Sequence, residues 1–172
     1  YSRAIATGNF DTAKVLTQAE NLAMQNALPE AAALIQQARA ATKGKLAPDA
    51  EARLLKLEAR LAVNAGKAGD AVPMLQRVVE LNPMDGGAMM LLGQHYLDAK
   101  DDLKAMNYFE RAAKLKDYEA DASLRLAQIQ ISGGKLIDAL PLLKRSNEIK
   151  PRDSVAKLIV DIERAVRKSG SK

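Results

Sequence analysis

An all-α fold of antiparallel helix hairpins, stacked as a superhelix, is predicted by three observations on the sequence. The composition is helical: Ala, Leu, Lys, Gln, Glu, Arg and Met dominate, and Val, Ile and Thr form no alternating runs. Gly and Pro fall between periodic segments more often than inside them. The third observation is a constant period of 34 in residue number, which aligns Ala71 with Ala105 and Ala139. The same register aligns Leu75, Phe109 and Leu143, then Val78, Ala112 and Ser146, then Leu81, Leu115 and Ile149. In the preceding helices it aligns Leu55, Met89 and Ser123, then Ala59, Gly93 and Ala127. A period of this length carrying two helices is the mark of a helical solenoid.

Apolar periodicity predicts helices over 10–25, 29–42, 49–65, 70–82, 87–98, 102–115, 120–131, 135–149 and 153–168. Pro29 suits a first helical turn, where its missing N–H leaves nothing unsatisfied. Gly44 and Gly66 stand where helices end, and Gly133-Gly134 separates two apolar stripes. Pro83 and Pro151 each stop a helix. Residues 43–48 form the longest irregular connection. The stripe of 102–115 contains Leu103, Met106, Phe109, Ala112 and Ala113. That of 135–149 contains Leu136, Ala139, Leu140, Leu143 and Ile149. The last helix reads as a cap, with Val155, Leu158, Ile159, Ile162 and Val166 inward and Lys and Arg outside. No helix is hydrophobic enough to stand alone, and short loops make neighbours antiparallel.

The chain of 172 residues has no Cys and one His, which removes disulfides, thiolate metal sites, cysteine nucleophiles and any imidazole cluster. Lys plus Arg number 26 against 21 Asp plus Glu, interleaved along the chain, so the charge balance argues against nucleic acid as the partner. The terminal excess at Arg164, Arg167, Lys168 and Lys172 complements a helix dipole. No apolar run approaches the length that a membrane-spanning helix needs, so no transmembrane segment is expected. The opening Tyr1-Ser2-Arg3 suggests a processed chain or a fragment. A soluble, cytoplasmic or periplasmic location is expected, any targeting segment being absent from this chain.

The three copies in register resemble the tetratricopeptide repeat family. Residues 86–119 match best, with Leu92-Gly93, Tyr96, Ala105, Phe109, Ala112 and the polar terminator Asp117. Residues 120–153 keep Leu126-Ala127, Ala139, Leu143 and Pro151, with Gln130 in place of the usual aromatic. Residues 52–85 keep Ala59, Ala71, Leu75 and Pro83, while Glu58 stands where an apolar residue is expected. The organisation expected is therefore irregular repeat-like helices over 1–51, three repeats over 52–85, 86–119 and 120–153, and a capping helix with a basic tail over 154–172. Gly8 to Ala13 read as the turn and start of a second helix, with 1–8 the stump of its partner. The interval from Ala13 to Ala71 is no multiple of 34, so an odd helix or longer hairpin is expected at 29–42.

The resemblance implies that the first helix of each hairpin lines a peptide-binding face. This places Arg53, Lys56 and Arg60 there, followed by Met90, Gln94 and Leu97, then Leu124, Gln128 and Ile131, with Arg125 near the edge. Such a face suits a partner protein that offers an acidic or amphipathic peptide or helix. A scaffold or adaptor region without catalysis or cofactor is the reading. A nucleic-acid-associated repeat module and a non-catalytic targeting region of a larger enzyme remain as alternatives. Self-association through the N-terminal helices, where Leu16, Leu22, Met24 and Leu28 are plentiful, also stays open. His95 reads as a structural side chain. Asp101-Asp102 and the pair Glu119 and Asp121 read as helix caps.

Overall fold

The computed structural model describes residues 11–43 and 45–169. The expected stump at 1–8, the turn at Gly8 to Phe10, the helix end at Gly44 and the tail residue Lys172 lie outside the described residues. We number the helices α1 (Thr12–Met24), α2 (Leu28–Thr42), α3 (Pro48–Asn64), α4 (Ala68–Leu81), α5 (Gly86–Asp98), α6 (Asp102–Ala113), α7 (Glu119–Ser132), α8 (Leu136–Ile149) and α9 (Asp153–Ser169). No strand occurs among the described residues. These match the nine helices expected from periodicity within about two residues at each end. The chain divides after Ala88, within the first turn of α5, into two compact units.

Four helix-to-helix turns are built alike. Each passes through one left-handed residue: Asn26 (φ 62), Gly66 (φ 75), Lys100 (φ 60) and Gly134 (φ 75). The next N–H then reaches back to a carbonyl five residues earlier: Ala27 to Leu22, Lys67 to Ala62, Asp101 to Tyr96 and Lys135 to Gln130, at 2.8 to 2.9 Å. This Schellman closure satisfies carbonyls that a helix end would otherwise orphan. Gly66, Lys100 and Gly134 follow one another at the period of 34 found in the sequence.

In the first unit α1 pairs with α2 and α3 with α4, while α1 and α2 both pack on α3. Val15, Leu16, Ala19 and Ala23 of α1 meet Ala31, Leu34, Ile35 and Ala38 of α2, with Leu54 and Leu57 of α3 closing the cluster. The register before residue 52 thereby changes. Gly66 follows Asn26 by 40 in residue number, against 34 for the later turns, so the first hairpin carries six extra residues. The offset of 40 superposes Ala19, Ala31, Ile35 and Ala38 on Ala59, Ala71, Leu75 and Val78, all buried. Thus α1 is the first helix of a hairpin and α2 its second; reading Asp11 to Ala13 as the start of a second helix set the register wrongly. Most of the extra residues lengthen α3 at its start: it begins at Pro48, four residues ahead of the position equivalent to Gly86 of α5, while the connection after Thr42 is one residue longer than that after Leu81. Leu16 is buried core and Leu22 packs on it, so of the four residues considered for self-association only Met24 is strongly exposed.

In the second unit Ala105 and Phe109 of α6 pack with Leu126 and Ile129 of α7, joined by Met90, Tyr96 and Leu97 of α5. A second cluster joins Ala127 of α7, Ala139 and Leu143 of α8, and Val155 and Ile162 of α9. Leu158, Ile159 and Val166 pack against it, so α9 turns inward the face expected of a cap. Two expected stripe members differ: Leu103 is 83% exposed and Ile149 39% exposed. Leu103 is the second residue of α6, where the helix has not yet turned its side toward the core.

The small residue at Gly93 is a steric requirement. A Cβ placed there would lie 2.6 to 2.9 Å from the Phe109 ring, which is fully buried. Gly93→Ala should gain about 1 kcal/mol of helix propensity but overpack the crossing by about 1–3 kcal/mol. The expected result in urea denaturation is a net loss, smaller in the Gly93→Ala/Phe109→Leu double variant than the two single losses added together. Lys100 occupies a left-handed position that costs an L-residue about 1–2 kcal/mol. After allowing for the greater freedom of unfolded Gly, Lys100→Gly should raise stability by about 0.5–1 kcal/mol. A denaturation midpoint at or below the parent value would refute this.

Candidate interaction surface

The outward faces of α3, α5 and α7 carry the residues expected to meet a partner. Three of them, Arg53, Lys56 and Arg60, belong to the unit that ends at Ala88, and seven to the unit that begins at Met89. Each set is described within its own unit.

Arg53 is engaged by two neighbouring residues on one face of α1. Its Nε and Nη2 donate to the Glu20 carboxylate at 2.9 and 2.8 Å, and Nη2 also donates to Thr17 Oγ1 at 2.9 Å. Those Glu20 hydrogen bonds raise the Arg53 pKa above its ordinary value. Beside it an open cleft of about 350 Å³ includes Thr12, Thr42, Lys45 and Arg53 in its lining, where the connection after Thr42 passes. Lys56 Nζ sits 2.7 Å from Asp85 Oδ2, while Asp85 Oδ1 accepts the Ala88 N–H and so caps α5. Arg60 is exposed and forms no ion pair among the described residues. Of the three cations, Arg60 alone is therefore unengaged there.

In the second unit the apolar members are half-buried. Met90 and Leu97 pack against the Phe109 cluster, and Leu124 and Ile131 against the Leu143 cluster. Gln94 Nε2 donates to Asp98 Oδ1 at 2.7 Å, and its buried Oε1 has no hydrogen-bond partner among the described residues. Arg125 Nη1 donates to Gln128 Oε1 at 3.2 Å, and Gln128 is exposed.

Several charged and aromatic groups escaped sequence reasoning. Arg39 donates through Nε and Nη2 to both oxygens of Glu58 at 2.6 Å. This pair links α2 to α3 and explains a carboxylate at an apolar position: the repeat equivalents in the second unit are Ala113 and Leu126, packed in one cluster. Asp101 caps α6 through the Lys104 N–H at 3.2 Å, as expected. Glu119 and Asp121 do not cap. Glu119 accepts from Arg145 Nε at 2.6 Å, and Asp121 from Arg152 and from Lys150, the latter at 3.4 Å. Tyr118, which precedes α7, offers no side-chain cap. His95 meets Tyr96 edge-on at 5.4 Å. Tyr96 stacks on Tyr108 at 5.7 Å, with Lys104 over the first ring and Arg111 over the second. A sequence signal existed for the charged groups: Glu51, Arg77 and Glu80 recur two periods later as Glu119, Arg145 and Glu148, and both triads are ion-paired.

Among the described residues no group of three or more His, Asp or Glu could hold a metal ion, and no helix is long and apolar enough to cross a membrane.

Comparison with known proteins agrees with the fold. Residues 56–120 match the family model described as Tetratricopeptide repeat. The cellulose synthase operon protein C of Escherichia coli strain K12 is 38% identical over 60 residues, as is its putative counterpart in strain O157:H7. The match covers 35% of this chain and about 5% of the length of either relative. Among solved structures, the pilF protein of Pseudomonas aeruginosa superposes with a TM-score of 0.71 at 13% identity, over 91% of this chain and 69% of that one. A mutant of the MamA protein gives 0.69 at 15% identity, over 93% and 85% of the two chains. These low identities speak for the fold alone.

The Asp121 cluster has a consequence in acid. Partial burial pushes the Asp121 carboxyl up, but the hydrogen bond and charge of Arg152, with those of Lys150, outweigh it and hold it below its ordinary value. A carboxyl depressed in the folded state stabilises above its unfolded pKa, and that stabilisation disappears as pH falls through the folded value. With its side chain 45% exposed, the contribution is at most about 1 kcal/mol. Asp121→Asn should lower the melting temperature slightly at pH 7. The difference from the parent should close as pH falls below the ordinary carboxylate value of about 4. A gap that stays constant in acid would contradict this account.

Proposed function

We propose that this chain, a tetratricopeptide-like α-solenoid, is a scaffold or adaptor region that binds an acidic or amphipathic peptide or helix of another protein. Proteins of the tetratricopeptide fold generally act as protein–protein interaction scaffolds. The observation that carries the finer reading is Arg60: a cation on the face of a first helix, exposed and without an ion-pair partner among the described residues, next to two cations already held by carboxylates. Charge complementarity then favours carboxylates in the ligand. The half-exposed Met90, Leu97, Leu124 and Ile131 supply apolar contact in the second unit, and Gln94, Arg125 and Gln128 supply polar contact.

Arg53 and Lys56 contribute less directly, because a ligand carboxylate must compete with Glu20 and Asp85 for them. Reversing their charge would also disturb α1 and the start of α5. Arg60→Glu is therefore the cleaner test. Against a panel of fluorescent acidic amphipathic peptides, read by anisotropy, the parent should bind at least one member, and Arg60→Glu should weaken that binding by about fivefold or more. Equal binding by the two folded proteins would remove Arg60 from the reading. Competition by single-stranded RNA, with steep loss of binding in salt, would instead favour the nucleic-acid alternative.

A further inference from the structure

The second helix of each hairpin turns one ridge to solvent, and the repeat register allows those ridges to be compared. In α4 the ridge is Asp70, Pro73, Arg77 and Glu80; in α8 it is Asp138, Pro141, Arg145 and Glu148. In α6 the same positions hold Lys104, Asn107, Arg111 and Lys114. Both terminal carboxylates of the ridge have become lysines while the central arginine is unchanged. Beside the first ridge position stand Leu103 in α6 and Ile137 in α8, 83% and 70% exposed. Lys114 and Asp138 are exposed and have no ion-pair partner among the described residues. Lys104 is held by the half-exposed Asp101 and over the Tyr96 ring, and Glu148 by the exposed Arg145, and ion pairs at the surface exchange partners at little cost.

We propose that α6 and α8 form one self-complementary face on which a second copy of this chain docks with two-fold symmetry, α6 of each copy against α8 of the other. Both helices run antiparallel to α7, which packs between them in sequence, so they run parallel to each other. A two-fold axis along the helices keeps the pairs parallel. Lys104 then meets the second copy's Asp138 and Lys114 its Glu148, with Leu103 and Ile137 bordering the contact, while Arg111 comes beside the second copy's Arg145, whose charge Glu119 and Glu148 already offset. The two lysine–carboxylate pairs match in register because each helix spaces its charges ten residues apart, about 15 Å. The symmetry repeats every contact, as an isologous interface requires. A second copy is favoured over a foreign acidic partner because the acidic ridge lies on the same unit. A foreign acidic segment covering both helices would set like charge against Asp138 and Glu148.

Sedimentation velocity across a concentration series tests this. The parent should pass from monomer to dimer with rising concentration, and salt should oppose the change. Lys104→Glu/Lys114→Glu and Asp138→Lys/Glu148→Lys should each raise the concentration needed by about tenfold or more, with helical circular dichroism unchanged. Mixed in equal amounts, the two reversed variants should associate again, because each reversed lysine or carboxylate then faces a residue of opposite charge. The second variant leaves the Lys104–Tyr96 contact intact, so a local disturbance of α6 cannot account for its effect. The proposal is overturned if the parent stays monomeric up to about millimolar concentration, if either variant dimerises as the parent does, or if the mixture does not associate. A monomeric parent that captures a Glu-rich peptide through Lys104 and Lys114 would assign the ridge to a foreign partner instead.

Discussion

The architecture depends on one steric condition, the close crossing of the two helices in each hairpin. Ala19, Ala59, Gly93 and Ala127 lie on the first helices, and Ala31, Ala71, Ala105 and Ala139 on the second, all buried. Helices approach this closely only where side chains are small, and a dense interior leaves no slack for an added methyl group. The crossing also fixes the turn. Twelve residues separate the small residue on the first helix from its counterpart on the second in all four hairpins. The chain must reverse within that interval, and it does so through the left-handed residue and the long-reaching N–H described above. Ile35, Leu75, Phe109 and Leu143 follow four residues after the second small residue and fill the cores beyond the crossing.

Since the interior faces serve this packing, recognition is left to the outward faces, where charge has two roles. Arg53, Lys56, Arg39 and Arg145 connect helices. Arg60, Lys114 and Asp138 have no such duty among the described residues. A basic residue on a first helix is thus evidence of a ligand face only after its carboxylates have been located.

The helices and their approximate ends were legible because apolar periodicity, Gly and Pro are local signals, and each worked where a turn lay nearby. The register of the first hairpin was also written in the chain, as Ala19, Ala31, Ile35 and Ala38, but a fixed period of 34 could not find it across six additional residues. Less could be read of the candidate surface. Sequence spacing places Arg53, Lys56 and Arg60 on one helical face, yet the partners Glu20 and Asp85 are 33 and 29 residues from Arg53 and Lys56. Only tertiary structure shows which cations they neutralise. Glu119 and Asp121 were misread for the same reason: a carboxylate in a first helical turn can cap the backbone or reach a neighbouring arginine, and local sequence does not choose between these.

The Arg39–Glu58 pair gives the joint between the first two hairpins a character of its own. In the second unit the equivalent joint is Ala113 with Leu126, an apolar contact that added salt does not screen. The first joint rests partly on a half-exposed ion pair. In a stacked array, stability is a sum of repeat terms and nearest-neighbour terms. One of those coupling terms is here electrostatic, so ionic strength adjusts how tightly α1 and α2 are bound to the helices after them while leaving the apolar joint untouched.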